Sequence, residues 1–159
     1  MPEESKPIVI CAPEPRSIEL IFTPDKLAAL RERYELVETT DALIANLDPQ
    51  VLSHARYILG QPPLSDSTLA QMKNLKAVLN VESNLLDNMP YEEVFRRGIH
   101  VLTTGAVFAV PVAEMAVAMA LDLARGVTPA DVDFSNGTEK WGGDGNATAR
   151  LLTGSDVGI

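Results

Sequence analysis

Residues 75–104 read LKAVLNVESNLLDNMPYEEVFRRGIHVLTT, and their pattern decides the fold. Leu75 to Val81, LKAVLNV, reads as a strand, the fourth in the chain. A polar stretch follows, then Pro90 opens a short helix to Arg97 in which Val94 is the inward position. Gly98 stops that helix, and Ile99 to Thr104 is a second strand. Strand, helix and strand in that order imply a parallel pair with a crossover.

The pattern repeats toward the N-terminus. Pro7 to Ala12, PIVICA, is a buried first strand. Thr23-Pro24-Asp25 starts a helix with Thr as N-cap and Pro in its first turn, and Leu27, Leu30 and Tyr34 recur at helical spacing. ELVETT, residues 35–40, reads as a second strand and ARYILG, residues 55–60, as a third. Pro62-Pro63 breaks the chain before a helix over Ser65 to Lys73 that turns Leu69 and Met72 inward. Five strands with their helices describe an α/β, flavodoxin-like domain with a parallel sheet over residues 1–105.

From residue 106 to 159 the character changes. Val110 to Arg125 is one helix, apolar nearly all round and holding five alanines, so it needs a partner. Its apolar stretch, Val110 to Ala124, is fifteen residues with two acids, which falls short of a bilayer span. Residues 126–153 read as a long polar connection with Trp141 as the one large apolar anchor. Ser155 to Ile159 read as the start of a buried strand.

Composition narrows the function classes. The 159 residues carry a formal net charge of −9, against nucleic acid or an anionic membrane as partner. A single cysteine, Cys11, fits a reducing, cytoplasmic setting. The N-terminus has acids where an export signal needs positive charge, so the sequons at Asn136 and Asn146 carry no meaning. Cys11 ends a buried strand and reads as core; His54 and His100 are isolated, with no metal-ligand spacing. No P-loop or nucleophile elbow is present, and neither CAPEPR nor LGQPPL supplies a carboxylate cluster. The expected catalytic and metal residues are none.

Asn80 to Gly126 resembles the N-terminal portion of the NAD-dependent D-isomer-specific 2-hydroxyacid dehydrogenases, the family that includes D-3-phosphoglycerate dehydrogenase. The matching pieces are LKAV (75–78), Asp87-Asn88, Arg97-Gly98-Ile99 with Val101, Val112-Ala113-Glu114, and Leu121 to Arg125. The resemblance implies that the loop after the fourth strand holds the substrate carboxylate on backbone N–H groups, here around Glu82, Ser83 and Asn84. The family's glycines are absent from this loop and one residue is inserted before Asp87; Asn84 is the residue that could supply a positive φ. It also implies that Ala109 and Val112 border the nicotinamide of NAD, with Phe108 and Ala109 where relatives carry a polar pair. The helix over 110–125 would be a homodimer interface. SDVGI would be the first strand of a Rossmann domain whose G-x-G-x-x-G loop comes next, the family's catalytic Arg, Glu and His lying further on. The resemblance thus implies part of an enzyme that transfers hydride between NAD(H) and a D-2-hydroxy or 2-oxo acid, inactive by itself. The alternatives are a non-catalytic flavodoxin-like binding or oligomerisation module, and an independent small-molecule-binding domain using the Glu82 to Asn84 loop.

Overall fold

A computed structural model describes residues 5–158. Met1 to Glu4, which open the stretch read for an export signal, and Ile159, the last residue of the expected final strand, lie outside them. The chain forms two compact units, Met1–Val107 and Phe108–Ile159.

The first unit is a five-stranded parallel sheet. Its strands are β1 (Ile8–Ala12), β2 (Glu35–Glu38), β3 (Ala55–Gly60), β4 (Ala77–Leu79) and β5 (His100–Leu102), in the order β2-β1-β3-β4-β5. The expected flavodoxin-like α/β arrangement is therefore present, with β1 at the point where the chain turns from one side of the sheet to the other. Five helices join the strands: α1 (Ile18–Ile21), α2 (Pro24–Arg33), α3 (Pro49–His54), α4 (Asp66–Gln71) and α5 (Tyr91–Arg96). Both sheet faces are covered. Ile10, Leu52, Ile58, Leu69, Met72, Val78 and Val94 pack on one side, and Val9, Cys11, Ile18, Leu27 and Leu59 on the other. Alternate residues of β1 thus feed two cores, which is why its sequence is apolar without interruption.

Some local expectations change. Helices α1 and α3 were not anticipated; α3 is announced by Asp48-Pro49, where the Asp48 carboxylate accepts the Gln50 N–H at 2.7 Å. Thr23 sits at the N-cap of α2, but its hydroxyl donates to the Asp25 carboxylate instead of accepting a backbone N–H. His54 and His100 stand at the N-terminal ends of β3 and β5, and the His54 ring lies 2.8 Å from the Gln50 carbonyl.

The second unit holds most of α6 (Gly105–Arg125) and α7 (Val127–Asn136). Helix α6 is 21 residues long and starts before Val110, so the expected fifteen-residue stretch was too short; by length and composition it could cross a membrane. None of its residues is buried. Residues 127–136 are a helix and not an extended connection. Its first turn is capped by Asp122, whose two carboxylate oxygens accept the Thr128 N–H (2.6 Å) and hydroxyl (2.7 Å). Gly126 and Gly137 bracket it in the left-handed conformation. Trp141 is 79% exposed and anchors nothing. Ser155 to Gly158 form no strand, because no described strand lies beside them to complete the ladder.

Candidate functional site

In a parallel sheet every strand ends at the same edge, and the crevice opens where neighbouring loops leave in opposite directions. Here that point is the C-terminal edge between β1 and β3. Ala12 pairs with Gly60 there. Gly60 has φ of 122°, and a Cβ on it would lie 1.8 Å from the Ala12 carbonyl oxygen. Only glycine lets the two strand ends lie this close.

An ion pair bridges the crevice. Arg16, in the loop after β1, donates from Nε to Glu82 Oε1 at 2.7 Å and from Nη2 to Oε2 at 3.4 Å, and Glu82 belongs to the loop after β4. The contact joins residues 66 apart by reaching across β3. The hydrogen bond from Arg16 to Glu82 raises the guanidinium's already high pKa, so the cation is permanent.

Buried amides set the loop after β4. Asn80, 3% exposed, accepts the Glu82 N–H at 2.9 Å and donates to the Asn84 carbonyl at 2.7 Å, closing the turn from within. Gln61, just after β3, is buried beside it. With its oxygen toward the Leu86 N–H (2.8 Å) and its nitrogen toward the Asn84 carbonyl (3.1 Å), both ends of the amide are paired. Asn88 donates to the Gln61 carbonyl at 2.7 Å, and the Tyr91 hydroxyl donates to the Leu86 carbonyl at 2.7 Å. Burial pushes the Tyr91 phenol up, keeping it a donor. The Glu82 carbonyl accepts the Thr104 N–H at 3.1 Å, and Gly105 borders Ser83.

Glu82, Ser83 and Asn84 therefore sit together at the crevice, Glu82 half-buried and the other two exposed. Asn84 does not adopt a positive φ; among the described residues no non-glycine does. The internal bonds of Asn80 hold the turn in ordinary backbone conformations instead. Ala109 and Val112 lie on α6 in the second unit, exposed. Cys11 is core, as expected, and burial raises its thiol to about 11. Both histidines are at the opposite sheet edge, and no group of metal ligands exists among the described residues.

Arg16, Gln61 and Asn80 escaped the sequence reading. CAPEPR and LGQPPL hold no carboxylate cluster; what they contribute is a cation and an amide. The arrangement offers an exposed hydroxyl and amide, a neutralised cation and a preset loop. It is equipped to bind a small polar ligand, and it holds no histidine to move a proton.

No protein-family model and no curated protein matches the chain. Solved structures do. The chain is similar to a phosphoglycerate oxidoreductase from Rhizobium etli, at 59% identity over 94% of this chain and 47% of that one, with a TM-score of 0.80. It shares the fold of an NADPH-dependent glyoxylate/hydroxypyruvate reductase from Sinorhizobium meliloti, at 21% identity, 95% and 45% coverage and a TM-score of 0.66. A third, an NAD-dependent formate dehydrogenase from Staphylococcus aureus in complex with NAD, has 20% identity, 91% and 46% coverage and a TM-score of 0.54. The chain thus spans about half the length of these relatives. By sequence and fold together, it resembles the N-terminal portion of the D-isomer-specific 2-hydroxyacid dehydrogenases.

Proposed function

We propose that the chain forms the substrate-binding part of an oxidoreductase that exchanges a D-2-hydroxy acid with its 2-oxo acid. The observation that carries this is the Arg16–Glu82 bridge with Ser83 and Asn84 exposed beside it, in a chain 59% identical to the Rhizobium etli enzyme. Ser83 and Asn84 would hydrogen-bond the acid, and Glu82 would hold Arg16 over it. A nicotinamide cofactor, when bound, accepts or gives the hydride. The exposed Ala109 and Val112 suit one face of an apolar ring. The cofactor would be held mainly outside these residues, and the chain alone would not turn over.

Amide NMR of the chain titrated with 3-phosphoglycerate, glyoxylate and lactate tests the reading. Saturable shifts at Glu82, Ser83 and Asn84 are expected, with no change in NADH absorbance when cofactor and 2-oxo acid are added. Shifts confined to other residues, or turnover by the chain alone, would overturn it.

A second reading rests on α6. Met115, Val117, Met119, Leu121 and Leu123 are all exposed. Glu114 and Asp122 within the helix disfavour lipid and favour another protein surface, which we take to be a second copy of this chain in the cytoplasm. Sedimentation at rising concentration should show a dimer, and Val117→Lys should return it to monomer. A monomer at all concentrations, or partition into lipid vesicles, would remove this reading.

A further inference from the structure

The sheet's other edge carries an unassigned cavity of about 610 Å³, within the size range of small-molecule sites. It is lined by Lys6 before β1, Arg33 ending α2, Glu35 opening β2, His54 ending α3, Arg56 in β3 and Asn74 before β4. Three fixed cations and a histidine face one acid, in a chain whose net charge is −9.

Basic side chains at this edge have an ordinary use, since helix C-termini present unpaired carbonyls there. Lys6, His54 and Asn74 serve it. Lys6 donates to the Arg31 carbonyl at 2.9 Å, the His54 ring meets the Gln50 carbonyl at 2.8 Å, and Asn74 donates to the Ser53 carbonyl at 2.7 Å. Their bonds cover the carbonyls that would otherwise repel an anion.

Arg33 and Arg56 remain. The first unit holds six arginines. Arg16, Arg31 and Arg96 are ion-paired, and Arg97 donates to the Leu69 and Met72 carbonyls at the end of α4. The two arginines whose side chains make no hydrogen bond or ion pair among the described residues are the two that line this cavity.

The backbone supplies an independent observation. Ile8 pairs with Ala55 but Val9 pairs with Tyr57, so Arg56 is an extra residue with no partner in β1, while its carbonyl accepts the Lys76 N–H at 2.8 Å on the other side. Bulges in parallel pairs are rare, and they re-aim a side chain at a cost in pairing. This one falls on an unpartnered arginine beside the cavity.

We propose that this edge binds a small dianion, a phosphate monoester or a dicarboxylate, between the guanidinium groups of Arg33 and Arg56. Planar guanidinium forks match both anions through paired N–H donors. The site is separate from the crevice at the C-terminal edge and does not depend on the function proposed for it.

The test is amide NMR of the chain titrated with inorganic phosphate and, separately, succinate, at constant ionic strength. Saturable shifts at Ile8, Glu35 and Arg56 are expected at millimolar anion, and tighter binding of one anion names the class. Replacing both arginines, Arg33→Gln with Arg56→Gln, should weaken binding about tenfold or more. Arg33→Gln alone, at the exposed end of α2 and outside the strands, should also weaken it. Arg96→Gln, on the far helix α5, should leave it unchanged. Shifts that do not saturate, binding unaltered by Arg33→Gln, or equal weakening by Arg96→Gln would each overturn the proposal.

Discussion

The sheet unit and α6 draw on the same aliphatic residues and reach opposite states. Ile10, Leu52, Ile58 and Val94 are fully enclosed, whereas Val110, Val112, Met115, Val117 and Leu123 are all exposed. Helices flank both faces of the sheet, so each apolar residue of a central strand has somewhere to go. A helix that is apolar nearly all round has no such arrangement within its own unit. Apolar character records a demand for burial, and topology decides whether one chain can meet it.

The strongest test of the first half of that comparison is Gly60→Ala. A Cβ cannot occupy the position of the Ala12 carbonyl, so the β1–β3 pair must separate. A loss of roughly 4 kcal/mol or more is expected from urea unfolding, enough to abolish cooperative folding in a marginal domain. Leu69→Ala should cost about 3 kcal/mol, since it empties a fully buried position. Leu123→Ala, at 82% exposure, should stay within about 0.5 kcal/mol in dilute solution. Equal costs for the two leucines would break the comparison.

Asn80→Ala should cost roughly 1–3 kcal/mol by leaving the Glu82 N–H without its partner and the Asn84 carbonyl with Gln61 alone. Amide exchange across residues 82–86 should speed up more than in β4, which would separate loop release from general loosening. The smallest effect belongs to Cys11. Its folded thiol is raised from 9.0 to about 11, so its stabilising contribution is intact below pH 9 and fades as pH climbs toward 11. At pH 8 a thiol reagent should label it only as fast as the unit unfolds, and rapid labelling of native protein would show that face of the sheet to be open.

The strands were legible because burial on both faces leaves uninterrupted apolar runs between breakers. Helix α7 was not, because its residues, VTPADVDFSN, are mostly small or polar and its flanking glycines look like those of a linker. The final strand was misread for the converse reason: a strand-like run cannot make a strand without a neighbour. At the crevice, Glu82, Ser83 and Asn84 could be found because they are contiguous. Arg16 and Gln61 could not, since they reach that loop only through the order of the strands. The Arg56 bulge was invisible for the same reason, being a mismatch in count between two strands and a property of neither alone.

The place of β1 between β2 and β3 also orders the assembly of the molecule in time. Its ladder partners come later in the chain, β2 at Glu35 and β3 at Ala55, and β4 and β5 then add outward on one side. During synthesis the most apolar strand is made first and waits longest. Nothing in the sheet can enclose PIVICA until Gly60 has emerged, which makes the nascent first strand the natural client of a chaperone and the place where a stalled chain would aggregate.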